Sequence, residues 1–244
     1  MSLKSITRSF AGGEVSPLLY GRLDLAKYQT GLAKCRNFRI TPQGPAENRP
    51  GFEYVLKTKY SDKRAALIPF SYNSQQTFSL EVGDQYIRFH TNGGTLVEAG
   101  KVILGISQAN PGVVSGFDHG FANGNWIFLS GIGGMTEPNG RWAIVAGVTT
   151  HTFTLTDLFG NPIDTSGLSA YTAGGTAARV YEVATPYLEA DLFDLHYVQS
   201  ADVLTITHQG YATRELRRMG ATNWTLTTPT FLPTIGTPGA PLTV

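Results

Sequence analysis

Short runs of β-branched and aromatic residues, about four to eight residues each, are cut off by Gly, Pro, Asn or Asp along most of this 244-residue chain, and that punctuation leaves little room for anything but β-structure. The runs are Asn37 to Thr41, Phe52 to Lys59, Ala65 to Tyr72, Thr77 to Val82 and Gln85 to His90, the last two joined by a Gly83-Asp84 turn. After residue 100 come Trp126 to Leu129, Trp142 to Val148, Thr152 to Leu158 and Ala177 to Val183, and then Val203 to His208, Thr213 to Arg218 and Trp224 to Thr228. Helical spacing occurs in one place: Leu18, Leu19, Leu23, Leu25, Tyr28 and Leu32 follow a Ser16-Pro17 start. The expected fold is all-β, an antiparallel meander or propeller-like framework with an inserted small β-barrel module and one short N-terminal helix.

Changes of pattern divide the chain at residues 1–101, 102–183, 184–228 and 229–244. The second zone holds few charges, 2 Lys and Arg against 5 Asp and Glu, and reads as a separate small β module. The third restarts strands after Ala184-Thr185-Pro186 and repeats the strand, turn, strand, Gly layout seen from Thr77 to Gly94, either as propeller-like blades or as a plain pair of hairpins. The last sixteen residues, with Pro229, Pro233, Gly236, Pro238, Gly239 and Pro241, read as a linker or an arm.

Charged residues are 15% of the chain, below the usual quarter, so the surface is short of solubilising charge and suits cover by neighbouring subunits. The net charge of +1 conceals a gradient: residues 1 to 64 carry +7 and residues 65 to 244 carry −6. A basic segment of that kind suits an acidic protein neighbour or DNA phosphate, and the arginines Arg36, Arg39, Arg214, Arg217 and Arg218 can serve either. The single cysteine, Cys35, excludes an intrachain disulfide and fits synthesis in a reducing cytoplasm. Met1 to Phe10 lacks the apolar stretch of a signal peptide, and no run approaches a membrane span.

Motifs of catalysis are absent: there is no G-x-S-x-G elbow, no G-x-x-x-x-G-K-[ST] loop and no H-E-x-x-H helix. Gly131-Ile132-Gly133-Gly134 places Thr136 where a dinucleotide fingerprint needs its third glycine, so it reads as a turn. Glu189, Asp191 and Asp194 with His196 could divide acid and base roles or bind a metal. Leu192, Phe193, Leu195 and Tyr197 interleave them, however, and the segment reads better as one turn with an apolar and a solvated face. The five histidines, at 90, 119, 151, 196 and 208, lie outside ligand spacing, and no cofactor or metal is expected. Trp126, Trp142 and Trp224 could stack on sugars but sit in β-runs, where core positions are the ordinary use.

Residues Ser9 to Val55 carry an ordered set of motifs: Gly12, Gly13, Glu14, Ser16 and Pro17; Tyr20, Gly21, Arg22 and Asp24; Cys35, Arg36, Asn37 and Phe38; then Pro42, Gln43 and Gly44 with Arg49, Pro50 and Gly51. This stretch resembles the opening of the tail tubular, or nozzle, proteins of short-tailed bacteriophages, and Ala184 to Arg218 is similar to a second stretch of the same family. Between them, residues 102 to 183 resemble a small β domain of ubiquitin-activating enzymes, half of their catalytic cysteine region; they contain no cysteine, so the likeness implies shape and no activity.

The phage resemblance implies a non-enzymatic structural subunit of the virion tail, made in the bacterial host's cytoplasm. It implies a homo-oligomeric ring, six-fold by expectation, below the portal and adaptor, contacting tail fibres or spikes and passing genomic DNA without sequence-specific binding. Glu14, Tyr20, Arg22, Asp24, Arg36, Asn37 and Arg49 are the expected assembly interface. Family members are longer, so the chain reads as the first portion of one. Two other readings stand behind this one: a receptor- or glycan-binding tail module, and, more distantly, a tail-associated polysaccharide hydrolase using Asp191 and Asp194.

Overall fold

The structure, a computed structural model, describes residues 7–73 and 77–230; the Pro/Gly-rich end expected as a linker or arm lies, from residue 231 on, outside the described residues. The chain divides between Tyr54 and Val55 into two compact units, and it is all-β apart from short helical turns.

In the first unit β1 (Gly13–Glu14) and β2 (Gly31–Leu32) pair in parallel, and β3 (Phe38–Ile40) and β4 (Ala46–Asn48) form a hairpin. The leucine-spaced segment carries the expected short helix, broken into pieces. It forms a 3-10 turn at Pro17–Leu19, capped by the Ser16 hydroxyl, and one turn of α-helix, α1 (Ala26–Gln29). Gly21, at φ +84, breaks the helical path between them, and Leu18 and Leu23 end up 91% and 73% exposed. No strand forms at the expected Phe52 to Lys59 among the described residues; Lys57 donates to Leu158 O and Lys59 to Glu182.

The second unit opens with β5 (Ala66–Ser71), β6 (Thr77–Gly83), β7 (Tyr86–Thr91) and β8 (Gly94–Thr95). There follow β9 (Lys101–Val102), β10 (Gly105–Ile106), β11 (Val113–Ser115), β12 (Trp126–Gly133), β13 (Arg141–Ala146), β14 (Thr152–Thr156) and β15 (Ala173–Arg179). The last described elements are β16 (Glu182–Ala184), a 3-10 segment at Glu189–Asp194, and β17 (His196–Ser200), β18 (Val203–His208), β19 (Tyr211–Gly220) and β20 (Asn223–Thr227). Strands β9 to β15 make one antiparallel sheet in the order β10-β11-β14-β13-β12-β15-β9. A second sheet runs β16-β7-β6-β5, and β17 to β20 form a meander.

Two separate cores result. One collects Phe121, Ile127, Leu129, Met135, Phe153 and Leu155 with other apolar residues of the seven-stranded sheet. The other joins the inward positions of β5, β6 and β7 to those of the meander, residues from the two sides of the intervening sheet. Trp224 is its centre, with ring centroids of Phe70, Phe78 and Phe89 at 4.8, 5.5 and 4.6 Å. Aromatic contacts of this kind contribute about 0.5–1.5 kcal/mol each beyond buried area.

Two turn assignments move. Gly83 stays in β6, where the Tyr86 ring lies against it in place of a side chain, and the positive φ of the hairpin falls to Gln85 at +64. Gly131 to Gly133 belong to β12 rather than to a turn. Gly131 and Gly175, at φ +69 and +97, face each other across the β12–β15 ladder and kink it, as only glycines do without strain.

A buried ionic node joins the sheets. The Arg88 side chain, fully buried on β7, donates from Nε and Nη2 to Glu182 Oε1 on β16 at 3.0 and 2.7 Å. Its guanidinium lies 4.3 Å from the ring of Trp126 on β12. Lys59 Nζ reaches the other Glu182 oxygen, and Glu81 accepts from the Tyr86 hydroxyl, pairs with His90 Nε2 at 3.0 Å and sits near Arg88. Burial alone would raise the Glu81 carboxyl, but the His90 and Tyr86 hydrogen bonds and the Arg88 charge together hold it below the ordinary range. Truncating Arg88 to Ala leaves Glu182 half-paired and opens the packing on Trp126, and should destabilise the second unit by about 3–5 kcal/mol in denaturant titration. Glu81 predicts an acid limb. Its folded pKa lies below the unfolded value of about 4.3, so its contribution is complete above that value and is lost as pH falls through the folded one. Melting temperatures of Glu81→Gln should therefore fall less steeply on acidification than those of the parent chain.

Candidate assembly surface

Among the described residues of the first unit, Gly44 alone is buried. Polar ties hold this unit in place of a core. The Glu14 carboxylate accepts the Cys35 amide hydrogen bond at 2.9 Å, drawing the end of β1 to the chain beyond β2. The Tyr20 hydroxyl donates to Ala33 O at 3.0 Å, and the Tyr28 hydroxyl accepts from the Gly21 amide at 3.2 Å. Arg22 grips Asp24 through two hydrogen bonds of 2.8 and 2.6 Å, which raise the guanidinium and lower the carboxyl in pKa while both remain exposed. Arg39 pairs with Glu47 across the β3–β4 hairpin, and the Arg49 guanidinium lies 4.2 Å from the Phe52 ring centroid.

The glycines explain how closely these strands approach. A methyl on Gly12 would lie 2.8 Å from Lys27 O, and one on Gly31 would lie 2.6 Å from the Val15 side chain. Asn37 takes φ +61, a left-handed corner that Asn tolerates, immediately before β3. Of the seven residues expected at an interface, then, Glu14, Tyr20, Arg22, Asp24 and Arg49 contact partners within their own unit, and Asn37 shapes the backbone. Arg36, exposed beside Asn37, makes no ion pair among the described residues. Among these polar groups, Leu18, Leu19, Tyr20, Leu23, Phe38, Phe52 and Tyr54 are exposed large hydrophobic side chains.

Elsewhere the sequence candidates separate. Asp191, on the 3-10 segment, accepts from the Tyr211 hydroxyl at 2.6 Å, and Glu189 accepts from the Arg64 amide and caps its side chain at longer range. Asp194 closes the same 3-10 segment, whose Leu192 is buried. Among the described residues no three His, Cys, Asp or Glu side chains converge as a metal site would require, and no helix is long and apolar enough to cross a membrane. Trp126 and Trp224 are buried in cores, whereas Trp142 is half-buried, 4.9 Å from Phe128, and borders a cavity of about 340 Å³ on the seven-stranded sheet. That cavity escaped sequence reasoning because its acids are scattered over Glu137, Asp157 and Asp164. The signal present was Asp157-Leu-Phe-Gly-Asn, a turn that fixes a carboxylate by hydrogen bonds from Asn161 and the Phe159 amide.

A model of the ubiquitin-activating enzyme E1 FCCH domain matches residues 109–181, which fall largely within the seven-stranded sheet and contain no cysteine. No curated protein matches. Among solved structures, the phage phi92 endosialidase is similar at 15% identity with a TM-score of 0.21, over 68% of this chain and 30% of that one.

The two units make separable predictions. Replacing Gly31 by Val forces the Val15 contact apart and should expose residues 7–54 to limited proteolysis. The melting of the second unit, whose cores lie wholly beyond residue 65, should shift by less than about 0.5 kcal/mol.

Proposed function

We propose that this chain is a structural subunit of the tail of a short-tailed bacteriophage, assembling through its first unit into a ring around the DNA-ejection channel, beneath the portal and adaptor. One observation carries the assembly part of this reading: a folded segment of some fifty residues carries seven exposed large hydrophobic side chains and, among its described residues, buries a single glycine. A monomer has no use for such a surface, and a neighbouring subunit that covers it supplies the missing apolar burial at about 25 cal/mol per Å². The ordered motifs from Gly12 to Gly51 support the phage tail in particular, and the polar ties of Glu14, Tyr20 and Arg22 give them a physical meaning, since they hold an otherwise coreless strand arrangement in shape for docking.

Closure into a ring requires a heterologous contact, one face of a subunit on a different face of the next. A lumen that passes DNA works best with few free cations, because phosphate binding would slow the duplex. The basic first unit accordingly faces protein, not the channel. In this reading no chemistry is assigned to Asp191 or Asp194, and Trp142 serves packing and contact.

Sedimentation velocity and negative-stain microscopy test the assembly. The parent chain, alone or with adaptor, should form closed rings of fixed subunit number. Leu18→Ser with Leu23→Ser should reduce association by about a hundredfold, the equivalent of two lost apolar anchors, without lowering the melting temperature of the second unit. Persistence of rings in that variant, or a monomeric parent under every condition, would defeat the reading.

A further inference from the structure

The cavity on the seven-stranded sheet has an apolar floor and a charged rim. Leu129, Ala143 and Leu155 form the floor, all buried, and Trp142 forms one wall. Three carboxylates stand around it, Glu137, Asp157 and Asp164, against one guanidinium, that of Arg141. All three carboxyls are held below the ordinary range. Backbone and Ser169 hydrogen bonds do this for Glu137, Asn161 for Asp157, and Ser166 for Asp164. The rim is therefore anionic at neutral pH. An anionic guest is repelled, while a long aliphatic stem ending in a cation matches both floor and rim.

The same chain offers that guest. Residues 1 to 64 carry +7 and the remainder −6, and Arg36 projects from the corner made by Asn37, unpaired among the described residues, with the exposed Phe38 ring two positions on. We infer that the cavity receives a basic side chain, Arg36, from the first unit of a second copy, and that this contact is one half of the heterologous ring interface. The inference rests on the assembly reading and adds to it the second face, the occupant and the chemistry of the contact. Arg36 extends its methylenes along the half-buried Trp142 and its guanidinium toward Glu137 and Asp164.

Charge exchange in the full chain tests it by concentration-dependent sedimentation. Arg36→Glu should weaken self-association about tenfold or more, as should Glu137→Gln with Asp164→Asn, which keep the local hydrogen-bond acceptors and so preserve the fold. Glu137→Lys with Asp164→Lys should weaken it further, and adding Arg36→Glu to that pair should restore association to within about threefold of the parent. Trp142 emission should shift on association in the parent and in the restored triple variant. Unchanged association in the Gln/Asn variant, with Leu18→Ser and Leu23→Ser still disruptive, would overturn the inference and leave the assembly reading standing; a monomeric parent would remove both. A Trp142 shift produced by maltohexaose, unaffected by the charge exchange, would also overturn it and make the cavity a neutral-glycan site.

Discussion

The junction of the seven-stranded sheet with the rest of the second unit turns on one fully buried guanidinium. Arg88 binds Glu182, ninety-four residues away along the chain, and lies 4.3 Å from the ring centroid of Trp126 in the seven-stranded sheet. Removing an arginine from water is expensive; a two-donor hydrogen bond to a carboxylate that Lys59 also steadies offsets part of the cost, while Nη1 has no hydrogen-bond partner among the described residues. Hydrophobic packing could have joined β7 to β16 at comparable strength, but it would tolerate slippage. A planar fork with one matched acceptor fixes register, and with it the place where the seven-stranded sheet leaves the framework.

The first unit follows the opposite logic. It is held by hydrogen bonds at its surface, from Glu14 to Cys35 and from Tyr20 to Ala33, and by ion pairs that water screens. Interactions of that kind define shape more than stability. Combined with exposed Leu18, Leu23 and Phe52, they describe a segment with little apolar burial of its own. The sparse charge of the whole chain and its polarity from basic to acidic are consistent with contacts between unlike faces.

Strand content was legible in the sequence because it is written in local terms: alternating residues on β6, β18 and β20 face a core, and Gly, Asn or Asp stands at their ends. The short helix expected within Leu18 to Leu32 is present as one α-turn at Ala26–Gln29 after a 3-10 turn at Pro17–Leu19, and Gly21 at positive φ interrupts the path between them. Gly131, by contrast, was misplaced. A glycine at positive φ inside a strand looks like a turn until its partner, Gly175, is known from pairing forty-odd residues away. The acidic-rimmed cavity and the Arg88 node were unreadable in principle, since Glu137 and Asp164, or Arg88 and Trp126, are neighbours only through tertiary topology.

The place where the seven-stranded sheet joins the framework bears on how such a chain can fold at all. Its entering strand, β9, pairs with its leaving strand, β15, and the ladder continues outward through Glu98 with Arg179, Val97 with Val180 and Leu96 with Tyr181. Without that clasp, pairing β7 with β16 would mean closing a loop of more than ninety residues, at an entropic cost that grows with the logarithm of its length. Once the sheet has formed, its two ends are already a strand's width apart, and the long-range step becomes a local one. Contact order counted along the sequence thus overstates the search the framework faces: the inserted sheet works as a folding staple, a self-completing cassette that delivers β16 to β7.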